Sequence, residues 1–586
     1  MMNLLKLGAI VASVLLAACA QQPQRTEEPA PTPPPAAKAP ASKPRVVVRP
    51  SVDPKVLPRQ ELSRSILFKM LLAEIALQRG QTNIAVQSYL ELSRETRDPR
   101  IAQRATEVAW SSRFFGVALE TAGIWLQADP DSQQARQIMA ALLVSQARLA
   151  DAQPYLEKSL AADPEHVGQG FLQLLPLLAR SADKNGVLTL MQSLAKPYPS
   201  VPEAHFAVAQ AASNAGQNGV ALAAAREALR LRPEWEQAAL LQGQLLHSEA
   251  PAQALEFYRS YLKQHPKAMD VRLGYARLLV GEKQYAGARD EFEQLLKEFP
   301  DNPDVTMAVG LLALQLNDFD AAEASLKHAL ETNYKDPDAA RFYLGQANEE
   351  RKRYDEALKW YASVTEGSQY VAARSHYAGI LAKQGKLEDG RKYLQDSGRN
   401  AEERLQFVQA EAQLLRDANE NNTAFDVLQA ALAKNPNSTE LLYDQAMVAE
   451  RVDRLDIVEA NLRQVIKLKP DHAHAYNALG YTFADRNIRL PEAYDLIEQA
   501  LKLAPDDAFI LDSMGWVLYR MGQNDTSLTF LKRAFSLRPD AEIAAHLGEV
   551  LWAMGEKQEA SKVWAGALKD NPSNEALLAV VKKYTP

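Results

Sequence analysis

From about residue 60 onward, the pattern of apolar, small and polar positions repeats with a period near 34 residues. A proline closes most units, at positions 99, 130, 164, 199, 233, 266 and 300 and then at 436, 470, 505, 539 and 572. Twelve residues before most of these prolines lies an alanine: Ala118, Ala152, Ala221, Ala254, Ala288, Ala424, Ala493 and Ala560. A small residue lets two antiparallel helices approach closely, and a proline ends the second helix. The pattern therefore predicts a row of helical hairpins.

The units nearest the C-terminus carry the pattern most completely. They contain Gly480 with Ala493, Gly515 with Ala534, and Gly548 with Ala560. This arrangement resembles the tetratricopeptide repeat. The resemblance covers roughly nine tenths of the chain and implies an all-α fold, a right-handed superhelix of antiparallel helix pairs. Because the units near residues 170–199 and 371–404 are degenerate, we expect about 13–15 pairs.

The two ends of the repeat region differ in polarity. We place the solenoid in residues 59–573 and a capping helix in residues 574–586, where an amphipathic segment ends in Lys582 and Lys583. The first predicted helix has almost no polar face, although a terminal repeat needs one. Its apolar residues are Ile66, Leu67, Phe68, Met70, Leu71, Leu72, Ile75 and Leu77.

The apolar surface of this first helix must be covered, and there are two alternatives for what covers it. A partner protein could dock there. Alternatively, the valines of residues 46–48 or the apolar pair at 56–57 could fold back over it. For the first alternative, the candidate partner-binding residues are Ile66, Leu67, Phe68, Met70, Leu71 and Ile75.

A second candidate surface follows from the repeat resemblance, since the first helix of each tetratricopeptide pair lines the concave face. In the last units this places the following residues toward the groove: Tyr443, Met447, His474, Asn477, Tyr481, Phe509, Asp512, Trp516, Tyr519, Glu549 and Trp552. Aromatic rings provide a large contact area at small entropic cost, which favours a peptide or protein site. The alternative is that several of these rings pack between neighbouring repeats.

The N-terminal sequence predicts a targeting signal. Lys6 provides a positive charge, residues 7–16 form an apolar stretch, and Leu16, Ala17 and Ala18 precede Cys19. This resembles the lipobox of bacterial lipoproteins, which implies a signal peptide in residues 1–18 and acylation of Cys19. Because Ala20 stands where an aspartate would retain the protein at the inner membrane, the resemblance points to the outer membrane, facing the periplasm. An ordinary secretory signal is the alternative.

Residues 19–58 are predicted to be a disordered tether, because prolines, alanines and polar residues dominate them. The tether has six basic and three acidic residues, whereas the whole chain has 66 basic and 73 acidic ones. The repeat region is therefore acidic, which argues against a nucleic-acid ligand. A basic tether suits an anionic membrane or wall polymer, or is simply a soluble linker.

No motif for catalysis, a metal or a cofactor stands out. There is one cysteine, no His-Glu-x-x-His pair, no nucleophile elbow and no phosphate-binding loop. His472 and His474 are two residues apart, so on a helix they would lie on different faces. The acidic pairs Glu349–Glu350 and Glu402–Glu403 are interpreted as solvated helix faces. These observations favour a binding protein over an enzyme.

The lipobox, the proline-rich tether and the repeats together resemble large proteobacterial outer-membrane tetratricopeptide lipoproteins. Among these are adaptors of the periplasmic carboxyl-terminal processing protease. The resemblance implies a scaffold that holds this serine protease together with client proteins, namely endopeptidases that cut peptidoglycan cross-links. A scaffold for exopolysaccharide export or envelope assembly remains an alternative. An enzyme such as a glycosyltransferase would need a catalytic domain for which the repeats leave no room.

Overall fold

The computed structural model describes residues 57–58 and 60–584. Within them the chain forms 31 α-helices, one short 3₁₀-helix at Pro164–His166 and no strands. The helices fall into two compact units, which divide after Thr332. Cys19, the signal peptide and nearly all of the tether lie outside the described residues.

The first unit contains eight successive helix pairs. Their bounds are α1 Arg64–Gln78, α2 Thr82–Thr96, α3 Pro99–Ser111, α4 Phe115–Ala128, α5 Gln133–Ser145, α6 Leu149–Ala161, α7 Val167–Leu178, α8 Lys184–Ala195, α9 Pro202–Asn214, α10 Asn218–Leu231, α11 Glu236–Glu249, α12 Pro251–Gln264, α13 Met269–Gly281, α14 Tyr285–Glu298, α15 Pro303–Gln315 and α16 Phe319–Glu331.

The second unit contains seven pairs and a terminal helix. Their bounds are α17 Pro337–Glu350, α18 Tyr354–Ser363, α19 Tyr370–Lys383, α20 Leu387–Ser397, α21 Ala401–Asp417, α22 Asn421–Lys434, α23 Thr439–Arg451, α24 Leu455–Leu468, α25 Ala473–Asp485, α26 Leu490–Leu503, α27 Ala508–Arg520, α28 Asn524–Leu537, α29 Ala541–Ala553, α30 Lys557–Asp570 and α31 Glu575–Tyr584. The all-α repeat fold is thereby confirmed, with 15 pairs in the described residues.

Several helix starts have a local cause in the sequence. At α27, the Asp507 side chain accepts hydrogen bonds from the backbone N–H groups of Phe509 and Ile510, at 2.9 and 3.0 Å. At α15, Asn302 caps in the same way and Pro303 occupies the first turn, where its missing N–H costs nothing. Capped starts and short turns therefore force consecutive helices to run antiparallel.

The recurring alanines mark the closest helix contacts, as the sequence predicts. All eight, from Ala118 to Ala560, are completely buried. The partner position in the first helix of several pairs is a glycine. At Gly515, an added Cβ would lie 2.5 Å from Leu531 Cγ on α28. Small residues at both positions therefore let paired helices pack without a gap.

One pair departs from the regular hairpin. Helix α7 packs mainly against α9, the first helix of the next pair, instead of against its own partner α8. The 3₁₀-helix at Pro164–His166 precedes α7, and Pro176 lies inside it. This irregular pair coincides with the degenerate unit predicted near residues 170–199.

Glu349 and Glu403 correct the interpretation of the acidic pairs as solvated faces. Only 14% of the Glu349 side chain is exposed, and it accepts hydrogen bonds from Tyr361 Oη, His376 Nδ1 and Lys383 Nζ at 2.8–2.9 Å. Burial alone would raise the pKa of Glu349, but His376 and Lys383 hold it at about 2. Glu403, with 15% of its side chain exposed, pairs with Arg399. Glu349 thus lies inside the fold, whereas Glu403 is held by Arg399 near the surface.

Candidate protein-binding surfaces

The exposed side of α1 is an unusually apolar surface, called here the α1 face. Its members are Leu67, Phe68, Met70, Leu71, Leu72 and Ile75, and each is 37% to 65% exposed. Such a concentration of large apolar side chains on one solvent-facing helix is typical of a docking site. The hydrophobic effect on covering it is on the order of 25 cal/mol for each Å² of apolar surface.

Ile66 does not belong to this face, which corrects its place among the candidate partner-binding residues. It is 7% exposed and lies in the core with Ala73 and Ala76. The reason is the helical period, since positions 66, 73 and 76 point to the same side, toward the rest of the unit. Lys69 also fixes the helix, because its Nζ lies 2.9 Å from Glu95 Oε2 on α2. The α1 face is therefore presented by an anchored helix.

The second candidate surface is formed by the first helices of the last repeats and is called here the first-helix row. It comprises α23, α25, α27 and α29. Six of its predicted residues are partly buried, namely Tyr443, Met447, Asn477, Tyr481, Tyr519 and Trp552; Phe509 and His474 are exposed. These residues keep part of their surface available to a ligand.

Trp516, Asp512 and Glu549 are instead buried, with 5%, 6% and 8% of their surface exposed. The Trp516 ring stacks on His546 of the next repeat, with centroids 4.3 Å apart. Glu549 accepts hydrogen bonds from Lys583 and Tyr584 of α31, at 3.0 and 2.8 Å. For these residues, packing between neighbouring repeats is the better description.

His546 and Asp512 form a nearly buried ion pair between α27 and α29. His546 Nδ1 lies 2.8 Å from Asp512 Oδ2, and 13% and 8% of the two side chains are exposed. Burial alone would lower the pKa of His546, but the carboxylate of Asp512, helped by Asp485 and Glu542, outweighs it and raises that pKa above its ordinary value. The carboxylate thus favours the protonated form of the imidazole.

This pair predicts a pH dependence of stability. A raised pKa in the folded state stabilises the fold fully below the unfolded value near 6.5, and this stabilisation disappears as the pH rises through the folded-state pKa. We expect hydrogen exchange in α27 and α29 to be faster at pH 9 than at pH 6, after correction for intrinsic exchange. In His546→Gln the difference between the two pH values should shrink. If the variant shows the same difference as the wild type, the His546–Asp512 pair is not its cause.

Several charged residues of the first-helix row were not predicted from the sequence. Glu450, Asp485 and Glu542 come from α23, α25 and α29, and all three act electrostatically on the hydroxyl of Tyr481. Together with its burial, they raise the pKa of Tyr481 far above the ordinary value. Counting one helical turn from the predicted residues would have found Asp485, which lies four positions after Tyr481. No sequence signal points to His546.

The described residues hold no group of three side chains suited to a metal ion. His472 caps α25, because its Nδ1 accepts a hydrogen bond from the backbone of Ala475 at 3.1 Å. None of the described helices combines the length and apolar composition needed to cross a bilayer.

This architecture is that of a tetratricopeptide repeat protein. Models of the tetratricopeptide repeat match residues 245–312, 279–343 and 443–508. The TPR repeat-containing protein PA4667 of Pseudomonas aeruginosa is 33% identical over 507 residues, which cover 85% of each chain. The chain belongs to the same family of tetratricopeptide repeat proteins, whose repeats form protein-binding scaffolds.

Solved structures of similar fold match different lengths of this chain. Yeast Tom70 is 14% identical, with 89% of this chain and 99% of that chain covered at a TM-score of 0.34. The thermophilic TPR protein TTC0263 of Thermus thermophilus is 23% identical, with 30% and 96% covered at a TM-score of 0.28. At such scores these likenesses add nothing to the family assignment.

Proposed function

We propose that this protein is an outer-membrane lipoprotein that acts as an adaptor without catalysing a reaction itself. It binds the periplasmic carboxyl-terminal processing protease and brings it client proteins, such as endopeptidases that cut peptidoglycan cross-links. The observation that carries the proposal is the α1 face, where six large apolar side chains are exposed on an anchored helix. A surface of this kind suits a stable protein partner.

The first-helix row supports the second half of the proposal. It lies on α23 to α29 of the second unit, whereas the α1 face belongs to the first unit, so the two surfaces share no residue. The protease and the client therefore do not compete for the same residues. Joining them on one scaffold raises their effective concentration to about millimolar without any new contact between them.

Co-purification of the full-length chain from detergent-solubilised membranes tests the proposal. Mass spectrometry is expected to identify a serine protease of the carboxyl-terminal processing type, together with peptidoglycan hydrolases. Purified full-length protein should accelerate cleavage of a hydrolase by the protease and should cleave nothing alone. Recovery of polysaccharide synthase or export subunits in place of the protease would support the alternative scaffold role.

The membrane anchor gives a separate prediction. Cys19→Ser removes the thiol that lipidation requires, so the protein is expected to move from the outer-membrane fraction to the soluble periplasmic fraction. The repeats should keep their helical circular dichroism, because residue 19 lies outside them. Retention of the variant in the membrane fraction after a high-salt wash would contradict the lipoprotein assignment.

A further inference from the structure

Four carboxylates from four successive first helices surround Tyr481. Glu450 belongs to α23, Asp485 to α25, Asp512 to α27 and Glu542 to α29. Glu450 accepts a hydrogen bond at 2.9 Å from Thr482, the sequence neighbour of Tyr481, and the Tyr481 ring centroid lies 6.1 Å from that of His546, the ion-pair partner of Asp512. Burial is the main cause of the raised pKa of the Tyr481 hydroxyl, and the negative charges of all four carboxylates raise it further. The centre of the first-helix row is therefore negatively charged.

The cations near these carboxylates leave most of that charge uncompensated. Asp512 is paired with His546, but Glu450, Asp485 and Glu542 form no ion pair within the described part of the chain. Arg486 lies 2.7 Å from Asp453 and acts on Glu450 at longer range, and Lys583 pairs with Glu549. Arg451 acts on Glu450 and Glu542 only at longer range, and Arg520 donates to the backbone oxygen of Asp485 at 3.2 Å.

Burial makes the lack of an ion-pair partner costly for Glu450, whose one hydrogen bond from a neighbouring helix comes from Thr482 Oγ1 at 2.9 Å. Burial raises the pKa of Glu450, and Asp485 adds to the effect. Desolvation by neighbouring atoms and the charges of Asp540 and Asp512 also raise the pKa of Glu542, although that residue as a whole is exposed. A carboxylate in this situation gains more from an added positive charge than a fully solvated carboxylate does. Asp485 and Glu542 are exposed, so a ligand can reach them.

Unpartnered polar atoms in the same place give an independent indication. Asp512 and Trp516 are more than nine-tenths buried, yet Asp512 Oδ1 and Trp516 Nε1 have no hydrogen-bond partner in the described residues. Asn477 Oδ1, on the preceding first helix, also has none. Each such atom destabilises the fold when it stays unpaired. The N–H and C=O groups of a bound polypeptide reach these atoms only when the side chains turn outward, because each atom has almost no exposed surface.

We infer that the first-helix row binds an extended, positively charged segment of a client protein, with lysine or arginine side chains placed between Asp485 and Glu542. The neighbouring rings of Tyr481 and Tyr519 suit the apolar stems of these side chains and their charged ends. An acidic segment or a nucleic acid would be repelled from this surface. The inference rests on the proposed adaptor function and specifies the chemistry of the client.

Two probe peptides test the inference on the full-length protein. One is a ten-residue peptide of alternating lysine and leucine, and the other replaces each lysine with glutamate. Fluorescence anisotropy is expected to show binding of the lysine peptide only, weakening as salt increases. Asp485→Asn with Glu542→Gln should weaken binding about tenfold. The matched control, Asp525→Asn with Glu559→Gln, removes two exposed acids from the second helices α28 and α30 and should bind like the wild type.

Each outcome bears on one proposal. Equal binding of both peptides, binding of neither, or an unchanged affinity in Asp485→Asn with Glu542→Gln would overturn the charge-selective site. Equal weakening in the control pair would show that general acidity of the chain, and not this row, attracts the peptide. If the lysine peptide binds here but no protease or hydrolase is captured from membranes, the adaptor function fails and the site remains.

Discussion

Phe68→Ser with Leu71→Ser is expected to weaken binding of the carboxyl-terminal processing protease at least about 100-fold. These two side chains are 65% and 53% exposed, the largest exposures on the α1 face. Truncating a buried interface anchor typically costs roughly 2 kcal/mol or more, and about 1.4 kcal/mol corresponds to tenfold in affinity. Surface plasmon resonance between the solubilised full-length chain and the purified protease measures the effect.

The control for this experiment replaces equally exposed apolar residues elsewhere. Phe299→Ser with Leu537→Ser changes two side chains that are each 51% exposed, one in each unit. Protease binding should be unaffected, and circular dichroism should show intact helices in both double variants. Equal loss of binding in the two pairs would mean that the α1 face has no special role. Unchanged binding in both pairs would place the protease on another surface.

The client should still bind when the α1 face is altered, because the two surfaces have no residue in common. Loss of both interactions in a folded Phe68→Ser with Leu71→Ser variant would favour one continuous binding surface over two separate ones. Measuring the Phe68→Ser with Leu71→Ser variant against both the protease and the client therefore tests whether the two surfaces are separate.

The fold could be predicted from the sequence because it depends on contacts that recur at a fixed spacing. Ala118 and Ala560 are more than 400 positions apart and occupy the same place in their pairs, both completely buried. Each pair has the same spacing of small residues and prolines, so the predicted alignment of the repeats can be checked many times along the chain. The degenerate unit near residues 170–199 was detectable for the same reason, since it breaks the register.

The candidate sites were less predictable, because they depend on contacts between repeats. Spacing places Trp516 on the first-helix row, but only the structure shows that the next repeat brings His546 against its ring. Glu349 and Glu350 are adjacent in sequence, yet the three partners of Glu349 come from α18 and α19. Whether a side chain faces solvent or a neighbour is decided by the rotation of one repeat on another, which no local pattern encodes.

The second large effect is expected at a glycine in the last complete pair. A Cβ added at Gly548 would overlap the indole ring of Trp564 on α30. This ring is 1% exposed and forms a three-ring cluster with Trp552 and Tyr584, each with its ring centroid 5.8 Å away, so it has little room to move. Gly548→Ala should therefore destabilise α29 to α31 by about 3 kcal/mol, as overpacking of a rigid core does.

Hydrogen exchange resolved by helix is the appropriate measurement, because a terminal repeat can open without the others. Protection should fall in α29 to α31 and stay unchanged in the first unit. Gly566→Ala is the matched control: nothing lies within 4 Å of its added Cβ, so inside α30 it should stabilise the helix by about 0.5–1 kcal/mol. In a double-mutant cycle, Trp564→Leu should remove most of the cost of Gly548→Ala, since the smaller side chain leaves space for the methyl group. Additive effects would instead show that the glycine is needed for a reason other than close approach of the ring.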